Sequence, residues 1–172
     1  MTQKTPNSNT SRIAITGAGS GLGRELALRY AREGWRVAVT DLQSGRAKRV
    51  AGEVNAAGGD AIAQTLDTRK PEDFDALLDR IREEWGGLDV FVNNAGVSNA
   101  GSVVDTPLED WDWMLDINLM GAVRGARAAL PMLRESRGHL VNIASFAAIA
   151  SAPGMSAYNV AKAGVLSLSE SI

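Results

Sequence analysis

Residues 12–24 read RIAITGAGSGLGR. A short apolar run, Arg12–Thr16, passes directly into a turn in which Gly17, Gly19, Gly21 and Gly23 stand at every second position. A helical stripe, Leu22, Leu26 and Tyr30, follows at once. Strand, bare turn and helix in that order suit a phosphate. Glycine carries no Cβ to block the approach of an anion, and the helix N-terminus presents free N–H groups to it. The spacing Gly17-x-x-x-Gly21-x-Gly23 is not the common G-x-G-x-x-G fingerprint. A ligand-free strand-to-helix turn could hold the same glycines, so a second signal is needed.

That signal ends the next apolar run. RVAVTD closes on Asp41, 24 residues after Gly17, near the ~20-residue interval expected for a carboxylate that binds an adenosine ribose. A carboxylate accepts from both ribose hydroxyls and repels a 2′-phosphate. No basic residue stands at Leu42 or at Ser20. NAD is therefore favoured over NADP, and Arg46 is close enough in sequence to keep NADP open.

Further out, the same alternation repeats. Ala61–Leu66, Leu88–Asn94 and His139–Ser145 read as strands, and like Arg12–Thr16 and Arg36–Asp41 they are nearly continuous apolar runs, as strands covered on both faces are. Between them lie helical stripes: Ala47, Val50, Ala51 and Val54; then Phe74, Leu77, Leu78, Ile81 and Trp85, opened by Pro71 in the first turn. A long helix is expected from about Glu109 to Arg134. Its small residues, Gly121, Ala122, Gly125, Ala126 and Ala129, leave room for the sheet on one side and a second subunit on the other. Trp111 and Trp113 flank its start and are read as packing residues, with subunit contact as the alternative. The expected fold is α/β, a Rossmann-like doubly wound parallel sheet with five strands present. Residues 12–172 form one domain, and residues 1–11 a disordered polar tail.

Composition excludes other chemistries. The 172 residues include no cysteine and one histidine, His139, so thiolate sites, disulfides and histidine triads lack material, and no metal site is expected. His139 opens a strand and is expected to face solvent. Acids exceed bases by two, with no block of like charge to suggest nucleic acid or an anionic membrane as partner. No run approaches the roughly 18 apolar residues of a membrane span. A cytoplasmic location is the expectation.

TGAGSGLG, NNAG (Asn93–Gly96), Asn118, Ser145 and YNVAK (Tyr158–Lys162) together resemble the short-chain dehydrogenase/reductase family in its cofactor-first, single-domain form. The resemblance runs from about Arg12 to the last residue. It implies that Gly17, Ser20, Gly21, Leu22 and Gly23 shape the phosphate loop and that Asp41 holds the ribose. It further implies that Asp67 lies beside the adenine, and that Asn93, Asn94, Ala95 and Gly96 line the cofactor and tie the sheet. Asn118, Ser145, Tyr158 and Lys162 correspond to a catalytic tetrad, Tyr158 and Lys162 also meeting the cofactor.

The chemistry fits those residue types. Hydride transfer from an alcohol carbon leaves a proton, and without a suitable histidine a phenol can carry it. Lys162 lies one helical turn from Tyr158, on the same face. An ammonium about 4 Å from a phenolate is worth about 4 kcal/mol at an effective dielectric near 20, and oxidised nicotinamide adds a second positive charge. Ser145 can orient a substrate oxygen without a covalent intermediate. Asn118, polar in an apolar stretch, is implied to anchor a water that links Lys162 to solvent. Each residue also has a plainer reading: a surface Tyr–Lys pair, a strand terminator, a buried amide bonded to backbone.

Members of the family continue well past the lysine, with two more strands and a segment that folds over the substrate. The chain is therefore expected to be a piece of a longer enzyme, with a short protein whose exposed sheet edge pairs with another subunit as the alternative. Two functions stay open. One is a dehydrogenase or reductase of a small secondary alcohol or ketone, acting as a homodimer or homotetramer. The other is a catalytically silent dinucleotide-binding or interaction module.

Overall fold

The computed structural model describes residues 10–172, so the polar tail, but for Thr10 and Ser11, lies outside the described residues. Ser11 already belongs to the fold, its carbonyl accepting from Arg36 N–H at 2.9 Å. Five strands form one sheet: β1 (Arg12–Ile15), β2 (Arg36–Asp41), β3 (Asp60–Thr65), β4 (Val90–Asn93) and β5 (His139–Asn142). Their order is β3-β2-β1-β4-β5, and every pairing is parallel. The expected strands are all present, with β4 and β5 shorter than their apolar runs.

The helices are α1 (Gly21–Arg32), α2 (Ser44–Ala56), α3 (Pro71–Trp85), α4 (Leu108–Leu115), α5 (Gly121–Ser136) and α6 (Ser156–Glu170). They cover both faces. Side chains alternate across a strand, so Ile13 and Ile15 of β1 join Ala27 of α1 and Val50 and Val54 of α2 on one side. Ala14 joins Phe74 and Ile81 of α3 and Met132 and Leu133 of α5 on the other. Phe74 and Phe91 meet there with ring centroids 6.4 Å apart, each fully buried ring contributing about 2–3 kcal/mol. This is the doubly wound Rossmann-like α/β sheet expected. Leu22 is the exception to the α1 stripe: it is 55% exposed, outside the core.

The expected long helix is interrupted. Between α4 and α5, residues Asp116–Met120 form a π turn, closed by Gly121 N–H donating to Asp116 O five residues back. The extra residue loosens the regular ladder, and Arg124 reinforces it, its guanidinium donating to Asp116 O at 3.1 Å and Asp116 Oδ1 at 2.6 Å. The small face of α5 is occupied by the chain's own sheet. A Cβ on Gly125 would lie 3.0 Å from Phe91 Cε1, and one on Gly121 3.0 Å from Thr68 Cβ. This is the side the sequence assigns to the sheet.

Candidate active site

Strand order reverses between β1 and β4, and a crevice opens at their carboxyl ends, where such sheets bind ligands. Thr16, at the end of β1, closes its floor. Its Oγ1 accepts from Asn94 N–H and Ala95 N–H, both at 3.0 Å, while Asn94 Nδ2 donates to Thr16 O at 2.8 Å. The two strand ends are thereby locked together.

Above that floor the glycine turn bends back. Gly17 and Gly21 have φ of 64° and 52°, a left-handed conformation that side chains resist. A Cβ on Gly23 would lie 2.7 Å from Gly17 O, so α1 packs against the loop only because that position is bare. Both sides of Gly19 are pinned. Its N–H donates to Asp41 Oδ2 at 3.2 Å, and its carbonyl accepts from Arg49 at 2.9 Å. Asp41 Oδ1 accepts from Gln43 N–H at 2.9 Å. The buried carboxylate is fixed in direction, with lone pairs remaining on each oxygen. Ser20 gives α1 no side-chain cap, and its first turn carries no acid, so the N-terminal N–H groups keep their capacity for an anion.

A cleft of about 410 Å³ runs over this floor, within the usual range for small-molecule sites. Gly17, Ser20, Asp41, Asp67, Asn94, Ala95 and Gly96 line it, and Arg46 stands at the same wall. Gly21, Leu22 and Gly23 shape the loop without lining the cleft. Asn93 points inward instead, its Nδ2 donating to Ala122 O at 3.1 Å and Asn142 Oδ1 at 2.9 Å; it ties the sheet. Asp67 is clamped by Arg69, with Nη2 donating to Oδ2 at 2.6 Å, and that bond holds its carboxyl below the ordinary range. Thr68, Arg69, Trp113 and Ile117 also line the cleft, and sequence reasoning missed all four. Trp111 packs as expected, against Met114, Ala157 and Ala161. Trp113 corrects the packing reading: it is 39% exposed.

The π turn delivers Asn118. Its Oδ1 accepts from Val97 N–H and its Nδ2 donates to Val97 O, both at 2.9 Å; the plainer reading, a buried amide bonded to backbone, is realised in full. It also stands next to Lys162. Both line a cavity of about 10 Å³ with Thr16, Thr68 and Asn93, and a Cβ on Gly96 would lie 2.8 Å from Asn118 Oδ1 and 3.7 Å from Lys162 Nζ. Lys162 is 5% exposed. Its ammonium donates to Ile143 O at 2.7 Å and sits 5.9 Å from the centroid of the Tyr158 ring. Burial pushes its pKa below the usual lysine value. Ser145 follows β5, its Oγ accepting from Ala147 N–H at 3.2 Å. Ser145 and Tyr158 line neither cavity. His139 is exposed.

A family model described as short chain dehydrogenase matches residues 11–172. The chain belongs to that family. It is 42% identical over 160 residues to the probable oxidoreductase EphD of Mycobacterium tuberculosis, a match covering 92% of this chain and 27% of that protein. It is 39% identical over 168 residues to the 2-(R)-hydroxypropyl-CoM dehydrogenase of Xanthobacter autotrophicus, covering 94% and 67%. Among solved structures, a short-chain dehydrogenase/reductase from Burkholderia phymatum in complex with NAD superposes with a TM-score of 0.90 at 33% identity, over 96% of this chain and 60% of that one. The chain thus spans about a quarter of the mycobacterial relative and roughly two thirds of the others. Among the described residues no helix is long and apolar enough to cross a membrane, and no group of three or more His, Asp or Glu could hold a metal.

Proposed function

We propose that the protein transfers a hydride between NAD and a secondary alcohol or ketone, with Tyr158 as proton carrier. In this reading residues 12–172 are one dinucleotide-binding domain that also carries the catalytic groups. One observation supports it above the rest: the cleft walled by Gly17 and Asp41 shares Thr68 and Ala95 with the small cavity lined by Asn118 and Lys162, and Lys162 lies one helical turn from Tyr158. The residues present fit the cofactor. The glycine turn leaves uncapped helix N–H groups for a pyrophosphate, and the pinned Asp41 carboxylate keeps lone pairs for a ribose diol and like charge against a 2′-phosphate. Asp67 marks the adenine end.

Bound nicotinamide supplies the hydride chemistry; this chain manages the proton. In alcohol oxidation Tyr158 takes the hydroxyl proton as the C–H bond breaks, and in ketone reduction it returns one. Lys162 favours the phenolate by its charge, with one of its three donors on Ile143 O and two left for the cofactor ribose and a water. Asn118 and Lys162 share a space about the size of one water, which suits a proton route to solvent. Ser145 orients the substrate oxygen and forms no covalent bond.

Oxidation of a panel of secondary alcohols, followed by the absorbance of reduced nicotinamide, tests this reading. Tyr158→Phe should lower turnover at least about 10³-fold while NAD affinity stays within about threefold. A second reading, a nucleotide-binding module without turnover, draws on the position of Ser145 and Tyr158 outside both cavities. NAD binding with no turnover on any substrate would select it.

A further inference from the structure

The cleft's second wall is aromatic. Trp113 of α4 and Ile117 of the π turn, four residues on, line the same space as Leu66, Asp67 and Arg69. Trp111, two residues earlier, is packed against Met114, Ala157 and Ala161. The helix therefore turns one indole into the core and leaves the other 39% exposed. Trp113 also forms one side of an open groove of about 460 Å³, with Arg69, Asp112, Leu115, Asp116 and Met120. The indole thus borders both spaces. Arg69 belongs to both spaces as well, and its plane is held by Asp67, Nε to Oδ1 at 2.9 Å and Nη2 to Oδ2 at 2.6 Å. Its charge is thus neutralised and its orientation set, while the flat guanidinium remains available for stacking.

A flat, weakly polar ligand is what such walls accept. We propose that Trp113, with Arg69 beside it, forms the stacking wall for the purine base of the cofactor, making Trp113 a further binding residue at the adenosine end. This rests on the dinucleotide reading above and goes beyond it. Base–aromatic stacking needs only a π face, so position selects the ring: the wall stands beside Asp67 and outside the cavity of Asn118 and Lys162, which assigns it to the adenosine half and leaves the nicotinamide half untouched.

Intrinsic fluorescence and calorimetry with adenosine monophosphate, nicotinamide mononucleotide and NAD test this. The other three tryptophans provide the background: Trp35 packs edge-on against Tyr30 at 4.9 Å, Trp85 is 9% exposed, and Trp111 is packed. NAD and adenosine monophosphate should both change the emission, and nicotinamide mononucleotide should not. Trp113→Phe should abolish that change and hold affinity within about threefold, because a phenyl ring still stacks. Trp113→Ala should weaken both adenosine ligands about tenfold. If wild type binds NAD but Trp113→Ala binds it equally well, or the emission change survives in Trp113→Phe, the proposal alone fails. If wild type binds neither adenosine ligand, the dinucleotide reading fails with it. An emission change that follows protein concentration without nucleotide assigns Trp113 to contact between copies and also overturns the proposal.

Discussion

β2 and β5 belong to one sheet, yet five of the six residues of β2 are buried and none of the four in β5. On the β2 side, α1 and α2 close a core of strand residues and pin the glycine turn through Asp41 and Arg49. On the β5 side, α6 rests on a cluster with only three buried apolar members, Met114, Ala157 and Ala161. Val141, Phe146, Ile149 and Val160 stay exposed. The half around the glycine turn is a closely packed mould within these residues, whereas the Tyr158 half hangs on the π turn, Asn118 and the Lys162 bond to Ile143.

The harshest way to break that contrast is to fill the mould. Gly23→Val would push a side chain against Asn94 and Gly17 O. Nucleotide binding should vanish and stability should fall by about 3 kcal/mol, read by calorimetry and urea denaturation. Intact binding would mean the loop is not the tight cradle described. Next comes the opposite end of the sheet, where Arg12 donates to both oxygens of Asp89 at 2.8–2.9 Å. That bond holds the Asp89 carboxyl below its ordinary range. Its contribution is therefore full above the unfolded value near ~3.9 and lost as pH falls through the folded one. Asp89→Asn should cost about 1–3 kcal/mol at pH 7 and leave the cleft's affinity unchanged. A flattened acid limb in its stability profile is the expected signature. The mildest change is Lys162→Met. Burial disfavours the charged lysine, so wild-type stability should climb as pH rises from the folded value toward the ordinary one near ~10.4. The variant should lose that climb and differ at pH 7 by about 1 kcal/mol or less, with turnover abolished. An unchanged alkaline profile would argue against a charged lysine in that pocket.

The same contrast explains what could be read from the residues. Ile13, Val37, Val39 and Val92 form strands covered on both faces, so their apolar runs announce a parallel sheet. β5 ends earlier than its run because the Ile143 carbonyl is taken by Lys162, while its N–H makes the last rung to β4, at Asn93 O. The π turn leaves no mark in composition; only the polar Asn118 in an apolar stretch hinted at it. Thr68 and Arg69 directly follow Asp67 but carry no spacing signal of their own, and Ile117 reaches the same cleft from a segment far away in the chain, so no local pattern reveals them. The exposure of Trp113 is not legible because an indole near a helix start looks the same in sequence whether it faces the core or the surface.

Calorimetric titration of the protein with NAD and NADP, repeated on Asp41→Ala, tests the nucleotide mould most directly. One NAD per chain in the micromolar range, NADP at least tenfold weaker, and loss of that preference in Asp41→Ala are expected. A folded chain that takes up no NAD, or that binds NADP more tightly, would contradict the assignment of the cleft.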